Sequence, residues 1–123
     1  MLTQVGIDLV RTAEVREAIR CHGRRYLERV YTDEELRDCE GSAERLAARF
    51  AAKEATMKAL GRDDEPLPWR SIGVHRDASG CPSLDLHGPA AELAHRRGLT
   101  TLAVSLTHEG ALAGAVVLAE RSR

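Results

Sequence analysis

The sequence feature that constrains the fold most is an uninterrupted helical run from residue 46 to residue 60. The run is rich in alanine, contains neither glycine nor proline, and is followed by Gly61, so it predicts one long central helix that ends there. Four apolar side chains recur along it at helical spacing: Leu46, Phe50, Met57 and Leu60. We expect this apolar side to face a core, so that the rest of the chain packs against it.

The same run carries four charged side chains, and the helix alone leaves their meaning open: Arg49, Lys53, Glu54 and Lys58. They form either a solvated face, in which Glu54 and Lys58 have the spacing of an i,i+4 ion pair, or a site that holds a metal ion and phosphates. A plain helix salt bridge is the better interpretation as long as nothing else is known. For Lys53, a solvated position is a sufficient explanation.

The predicted elements follow the order strand, helices, hairpin, helix, hairpin, which indicates an α+β fold in one domain over residues 1–123. Thr32 with Glu35 three residues later forms a capping box, and Ser42 can cap the long helix. In chain order we expect a strand at 3–10, a helix at 12–21, a short helix after Thr32, the long helix, a hairpin of strands at 69–76 and 82–86, a helix from Pro89 to Gly98, and an antiparallel hairpin at 102–107 and 111–119.

Composition argues against several functional classes. The formal charge of -1 gives no global field for nucleic acid or an anionic membrane, and the few aromatic residues argue against a base-stacking surface. The three cysteines lie at wide, irregular spacing, which forms neither a disulfide framework nor a zinc site. The N-terminus has no signal-peptide pattern, and no apolar run reaches membrane-spanning length. We therefore expect a soluble, cytoplasmic protein with reduced thiols.

Asp8 stands in the first predicted strand, directly after Gly6 and Ile7. Aspartate is depleted in strands, so its presence there needs a reason. The local sequence favours an N-cap or turn residue at the start of the next helix, and the alternative is a metal ligand at a strand end. Together with Glu54, Asp8 would suit Mg²⁺, which prefers oxygen ligands and keeps substrate phosphates as further ligands. His108, expected in a tight turn between the last two strands, is another candidate reactive group.

A group of arginines surrounds the first predicted helix: Arg11, Arg16, Arg20, Arg24 and Arg25. Glu14 and Glu17 on the same helix support the interpretation of an ordinary solvated face. The functional interpretation is a basic surface on which an acidic partner docks. The sequence leaves both interpretations open.

Three segments carry a family resemblance: V-G-I-D-L-V at 5–10, R-F-A-A-K-E-A at 49–55 followed by K-A-L-G at 58–61, and V-S-L-T-H at 104–108. With Trp69, Ile72 and G-C-P at 80–82, they resemble the holo-acyl-carrier-protein synthase group of 4'-phosphopantetheinyl transferases over essentially the full chain. The resemblance implies that family's fold, a small antiparallel sheet packed with helices around one long central helix. It also implies a homotrimer with sites between subunits.

The implied activity is a transfer of the 4'-phosphopantetheine arm of coenzyme A to a serine of an apo acyl carrier protein, with release of 3',5'-ADP. By this resemblance, Asp8 and Glu54 would hold Mg²⁺ against the coenzyme A pyrophosphate. Glu54, or a metal-bound water, would help take the serine proton. Lys58 would neutralise the pyrophosphate and could protonate the departing ADP.

The resemblance also implies the residues that bind the two substrates. Arg49 and His108 would bind phosphates of the nucleotide half, and Pro82, with Gly80 and Cys81, would help to wall the adenine pocket. The arginines around the first helix would dock an acidic carrier protein, of the fatty-acid type or of a secondary-metabolite type such as that of polyketide synthesis.

The chain departs from the family pattern in three places. Residues 62–65 include three acids where a small Gly/Thr-rich loop is common, Leu112 and Ala113 stand where an aromatic residue is frequent, and Glu14 stands about where an arginine is usual. These departures motivate an alternative function, a non-catalytic carrier-binding module that keeps the fold. The complete set of implied reactive residues favours the enzyme.

Overall fold

The elements of the fold are those of a computed structural model that describes residues 3–61 and 66–121. The acidic segment 62–65 therefore lies outside the described residues. The elements in chain order are β1 (Thr3–Arg11), α1 (Thr12–His22), α2 (Arg24–Val30), α3 (Asp33–Cys39), α4 (Ala43–Ala59), β2 (Ile72–Arg76), β3 (Pro82–Leu86), α5 (Gly88–Arg96), β4 (Leu99–Glu109) and β5 (Leu112–Arg121). This order confirms the predicted α+β class.

The strands form two antiparallel sheets. The larger sheet has the order β1-β5-β4, and β2 pairs with β3 in a separate hairpin. Because side chains alternate along a strand, each strand of the larger sheet has one face toward α4 and one face away from it. The face toward α4 is buried at Gly6, Val10, Ala115 and Val117, whereas Ile7 between two of them is exposed. The helix α4 packs against β1 and β5 and also contacts β2 and β4.

The long helix is confirmed, and it begins three residues earlier than predicted. Ser42 is its N-cap, and the Ser42 Oγ accepts a hydrogen bond from the Arg45 N–H at 3.2 Å. Of the apolar side that was predicted, Leu46, Met57 and Leu60 are buried. Phe50 is half-buried and packs on the ring of Trp69 with centroids 4.9 Å apart. The helix therefore supplies the centre of the core.

The prediction of a solvated Lys53 is wrong. Its side chain is completely buried, as is that of Glu35, and the Lys53 Nζ lies 2.8 Å from a Glu35 carboxylate oxygen. The predicted capping box at Thr32 is confirmed in the same place, because the Thr32 N–H donates to Glu35 Oε1 at 2.8 Å and the Glu35 N–H donates to Thr32 Oγ1 at 3.1 Å. Glu35 thus has a local role at the start of α3 and a long-range role at α4.

Several predicted boundaries differ from the structure. The helix α2 was not predicted as an element, and its N-cap is Gly23, which has no side chain to give a capping signal. The strand expected from Trp69 begins only at Ile72, since Trp69–Ser71 forms a 3-10 turn. The last two strands are longer than predicted, at Leu99–Glu109 and Leu112–Arg121. The turn between them is correspondingly shorter.

The cysteines are free thiols, as the sequence predicts: Cys21, Cys39 and Cys81. Cys21 and Cys81 are exposed, whereas burial raises the pKa of the Cys39 thiol to about 11. We therefore treat Cys39 as a small core residue.

Gly6 brings β1 unusually close to α4. A Cβ atom built on Gly6 would overlap the backbone carbonyl of Ala55, and the backbone cannot move aside without displacing the helix. The close approach explains why a glycine stands in the middle of a strand, where its missing side chain would otherwise weaken the packing.

Gly6→Ala is expected to lower the free energy of unfolding by about 3 kcal/mol or more, because the added methyl group forces β1 and α4 apart. Gly110→Ala is the control: Gly110 has a φ of 57° and open space around its Cβ position, so alanine there meets only backbone strain, about 1 kcal/mol. Urea denaturation of both variants makes the comparison. Equal losses in the two variants would contradict the close-approach explanation.

Candidate active site

Asp8 lies inside β1, and the interpretation of Asp8 as a helix cap is wrong. The N-cap position of α1 is occupied by Arg11, whose side chain makes no capping hydrogen bond. Asp8 follows Gly6 by two residues and therefore shares the face of β1 that is turned toward α4. Its side chain is only 18% exposed. A carboxylate in this position requires a partner.

The partner of Asp8 is Lys58, near the end of α4. The Lys58 Nζ donates to Asp8 Oδ1 at 3.2 Å and to the backbone carbonyl of Ile7 at 2.9 Å. Glu54 lies one helical turn before Lys58 and is half-buried. Asp8 of β1 and Lys58 of α4 are therefore in direct contact, although they are 50 residues apart in the chain.

A second cluster lines a cavity of about 360 Å³ beside the first half of α4. The cavity brings together Arg49, His108, Pro82 and Gly80, four residues that the sequence analysis selected. Arg45 and Arg76 also line it, and the sequence analysis missed both. Arg45 stands four residues before Arg49, so helical spacing could have indicated it. No local pattern distinguishes Arg76, because its place depends on the turn that follows β2.

Arg49 is the most informative residue of this cavity. It is only 4% exposed, and its Nε and Nη2 atoms have no hydrogen-bond partner among the residues the structure describes. Unpaired buried donors are rare and cost free energy, and those of a charged group cost the most. A guanidinium that lines a cavity in this state is suited to bind an anion with two acceptor oxygens, such as a phosphate.

The two clusters share one face of the larger sheet. Asp8 pairs with Ala115 of β5, which pairs with Leu106 of β4, and Leu106 lines the cavity. His108 belongs to the end of β4, which corrects its predicted place in a tight turn. Along α4, Arg49 and Lys58 are nine residues apart, or ~14 Å at the rise of an α-helix. One extended, anionic ligand could therefore reach both clusters.

The arginines around α1 are only partly available. Three of them form exposed ion pairs with glutamates: Arg16 with Glu44, Arg20 with Glu17, and Arg24 with Glu28. The hydrogen bond from Arg20 lowers the pKa of the Glu17 carboxyl, as expected for a carboxylate with a cationic donor. The structure gives Arg11 and Arg25 no such partner within its described ranges, and both are exposed.

A further hollow around Arg25 adds three residues that the sequence analysis did not select. It has a volume of about 310 Å³ and is lined by His22, Arg25, Tyr26 and Arg29. A larger cavity of about 670 Å³ lies between α2 and α3, and of the predicted site residues it contains only Arg24. It holds none of the reactive groups named above.

Comparison with known proteins identifies the family. The model of the 4'-phosphopantetheinyl transferase superfamily matches residues 4–115. The chain belongs to that superfamily. A relative from Chloroflexus aurantiacus named holo-(acyl-carrier-protein) synthase is 45% identical over 130 residues, which cover 93% of this chain and 95% of the relative. A relative of the same name from Herpetosiphon aurantiacus is 40% identical and covers 92% of this chain and 94% of its own.

Solved structures of the superfamily share the fold. The acyl carrier protein synthase of Mycobacterium tuberculosis is 38% identical, with a TM-score of 0.79 and 97% of each chain covered. The Helicobacter pylori holo-(acyl-carrier-protein) synthase, solved in complex with coenzyme A, is 26% identical, with a TM-score of 0.85 over 94% of this chain and 99% of its own. The family resemblance drawn from the sequence is confirmed, and this chain is a transferase of the holo-(acyl-carrier-protein) synthase type.

The donor chemistry of the superfamily's implied metal fits the residues present. Within residues 3–61 and 66–121 there is no group of three or more His, Cys, Asp or Glu side chains that could hold a metal ion by itself. Mg²⁺ needs fewer protein ligands than that, because it commonly takes one or two carboxylates and completes its shell with water and substrate phosphates. Asp8 and Glu54 can supply two hard oxygen ligands of this kind.

Proposed function

We propose that this transferase moves the 4'-phosphopantetheine arm of coenzyme A to a serine of an apo acyl carrier protein, depends on Mg²⁺, and releases 3',5'-ADP. The observation that carries the proposal is the buried Arg49 residue, which lines a cavity on the same sheet face as the Asp8–Lys58 pair and has two donor atoms without a described partner. The proposal includes a cytoplasmic location, where free thiols are maintained. None of the helices described is long and apolar enough to cross a membrane.

In this proposal the cavity binds the nucleotide half of coenzyme A. Arg49 and His108 bind its phosphate, and Gly80 with Pro82 at the start of β3 forms the wall against adenine. Binding removes the cost of the unpaired Arg49 donors, so this part of the substrate supplies affinity. The pyrophosphate then extends along α4 toward Lys58.

The transfer step takes place at Asp8, Glu54 and Lys58. The serine oxygen forms a bond to the phosphorus that carries the pantetheine arm, while the bond from that phosphorus to the bridging oxygen of the ADP breaks. The Glu54 carboxylate accepts the serine proton, and the Lys58 ammonium neutralises the charge that develops on the leaving phosphate. Asp8 holds Lys58 in place through the 3.2 Å ion pair. Bound between Asp8 and Glu54, Mg²⁺ would offset the negative charge of the pyrophosphate.

The direct test is a mass-shift assay with purified protein, coenzyme A and Mg²⁺ against a panel of apo carriers of fatty-acid, polyketide and peptidyl types. We expect at least one carrier to gain the phosphopantetheine mass, and chelation of Mg²⁺ to stop the reaction. If no carrier is modified, calorimetry with coenzyme A distinguishes the remaining cases. Carrier binding without coenzyme A binding would favour the non-catalytic module.

The proposal assigns carrier docking to the basic surface around α1 and α2, where Arg25 is exposed and has no described ion-pair partner. Arg25→Gln is expected to raise the KM for an acidic carrier about threefold at low salt while kcat stays unchanged, because an unpaired surface cation chiefly promotes association. The effect should shrink as salt increases. Arg37→Gln, an equal change of charge on the exposed surface of α3, is the control. An equal rise of KM in both variants would contradict a docking role for Arg25.

The proposal also includes a homotrimer with sites between subunits, and the outer face of the larger sheet supports it. Val5, Ile7 and Leu9 of β1 are 57%, 62% and 68% exposed, and Leu118 of β5 is 41% exposed beside Val5. A contiguous apolar sheet face of this kind is a feature of association surfaces. An assembly with closed cyclic symmetry would bury this face on every subunit.

Val5→Asp is expected to convert the assembly to monomers, because it places a charge on the apolar face, and to abolish transfer, because the proposed sites lie between subunits. Sedimentation velocity measures the assembly, and the mass-shift assay measures transfer. Ser83→Asp, an exposed position in β3 of the small hairpin, should change neither. A Val5→Asp protein that sediments as the wild type does would contradict assembly through this face.

A further inference from the structure

The proposed mechanism leaves one ion pair without a role, although it is the most deeply buried one described. Glu35 and Lys53 are both completely buried, with 2.8 Å between the Lys53 Nζ and Glu35 Oε1. Burial lowers the pKa of Lys53, and the neighbouring Glu35 carboxylate opposes that change. Apolar residues of similar size are often as stable as a buried ion pair or more so. Stability alone therefore does not explain why the pair is present.

The pair contacts the open edge of β2. The His87 N–H donates to the Ser71 carbonyl at 2.8 Å, in line with the β2–β3 register in which Ile72 pairs with Leu86. Along a strand of an antiparallel pair, the backbone N–H and C=O groups of one residue point toward the partner strand and those of the next point away from it. Those of Ser71 point toward β3, so those of Ile72 and Val74 point away from it. The Val74 N–H donates to Glu35 Oε2 at 2.6 Å, and the Lys53 Nζ donates to the Ile72 carbonyl. The ion pair thus takes the place that a third strand would occupy.

This arrangement connects two walls of the nucleotide cavity. One wall is the β2–β3 hairpin, which supplies Arg76, Gly80 and Pro82. The other is α4, which supplies Arg45 and Arg49. Lys53 follows Arg49 by one helical turn on α4 and bonds to the start of the hairpin.

The Lys53 ammonium also bonds to a second backbone carbonyl next to the hairpin. The Lys53 Nζ also donates to the Trp69 carbonyl at 3.2 Å, so it holds the 3-10 turn as well as β2. Glu35 connects α3 to the same set of contacts through its capping bonds with Thr32. The position of the hairpin relative to the Arg49 guanidinium therefore depends on charged, directional contacts, which fix distances more narrowly than apolar packing does.

We infer that Lys53 and Glu35 are positioning residues for the nucleotide cavity: as a substitute strand on the edge of β2, they set the distance between the hairpin and α4. The inference rests on the proposed binding of coenzyme A in this cavity. Displacing one wall by a fraction of an ångström weakens every contact that spans the ligand, whereas the fold itself tolerates the change.

The test is the double variant Glu35→Leu/Lys53→Met. We expect it to fold with a melting temperature below that of the wild type, because the Val74 N–H and the Ile72 carbonyl lose their partners. We also expect the Kd for 3',5'-ADP to rise by roughly tenfold or more and the loss in kcat/KM for coenzyme A to lie mainly in KM. Hydrogen exchange of the Val74 amide should be faster by about tenfold or more, because its acceptor is gone.

The matched control is Asp33→Ala/Arg70→Ala. This pair also ties α3 to the segment before β2, at 3.0 Å, but it is exposed and does not contact the edge of β2. It should change neither the Kd nor the exchange of Val74. If Glu35→Leu/Lys53→Met folds, binds 3',5'-ADP as the wild type does and keeps Val74 protected, the inference is overturned.

Two further outcomes remain decisive. Should the double variant fail to fold, Glu35→Asp keeps both charges but is one methylene too short to reach Lys53 and Val74 together. It should still raise the Kd, and an unchanged Kd would overturn the inference. If the wild type itself does not bind 3',5'-ADP, the proposed function fails, and Val74 exchange then tests the substitute strand by itself.

Discussion

Glu54→Gln is expected to reduce phosphopantetheine transfer by about 10³-fold or more and to leave the fold unchanged. Glutamine is nearly isosteric with glutamate but neither accepts the serine proton nor offers Mg²⁺ an anionic ligand, so it removes both proposed roles at once. The helix should tolerate it, because glutamine is a good helix former and α4 is stabilised by its buried apolar side.

The measurement is the rate at which an apo carrier gains mass, with circular dichroism as the check on folding. Glu92→Gln is the control, since Glu92 is an exposed glutamate of α5 that pairs with Arg96 on its own helix at 3.6 Å. It should leave the rate within about twofold of the wild type. A Glu54→Gln enzyme that keeps a tenth of the activity would show that the proton has another acceptor.

Arg49→Met is expected to change binding and stability in opposite directions. The affinity for 3',5'-ADP should fall by about 10²-fold, because two charge-assisted hydrogen bonds to phosphate are lost. The free energy of unfolding of the unliganded protein should stay the same or rise by roughly 1 kcal/mol, because a buried cation with unpaired Nε and Nη2 atoms is replaced by an apolar side chain. Few substitutions are expected to behave in this way, which makes the result specific.

Isothermal calorimetry and urea denaturation measure the two effects. Arg45→Met is the comparison, because Arg45 lines the same cavity one turn earlier but is exposed. It should cost less affinity and leave stability unchanged, since an exposed guanidinium is already hydrated. A large loss of stability in Arg49→Met would mean that Arg49 stabilises the core and would contradict its role as an anion-binding residue.

Local signals predicted a large part of the fold. The capping box at Thr32, the cap at Ser42 and the uninterrupted run before Gly61 each depend on residues within a few positions of one another, and the structure contains all three. The resemblance selected Arg49, Pro82 and His108, which the structure brings to one cavity. Local spacing was sufficient for the caps and the helix run, whereas the three cavity residues depended on the family resemblance.

Long-range contacts explain the remaining differences. Lys53 looked solvated because its partner Glu35 lies 18 residues before it and its acceptor Ile72 lies 19 residues after it. Asp8 looked like a helix cap because aspartate is rare in strands, and only the contact with Lys58 from α4 reveals why it stands in one. Tertiary contacts overrode local preference at both positions, which are also sites where charge is concentrated.

The alternation of side chains along β1 has a consequence for how this chain can change. Its even positions, from Gly6 to Val10, meet α4 and present Asp8, whereas its odd positions form the outer apolar face. A single residue inserted or deleted between Asp8 and the start of α1 would exchange the two sets, so that the carboxylate would point outward and an aliphatic side chain would meet Lys58. We therefore expect β1 to accept conservative substitutions on its outer face but no change of length.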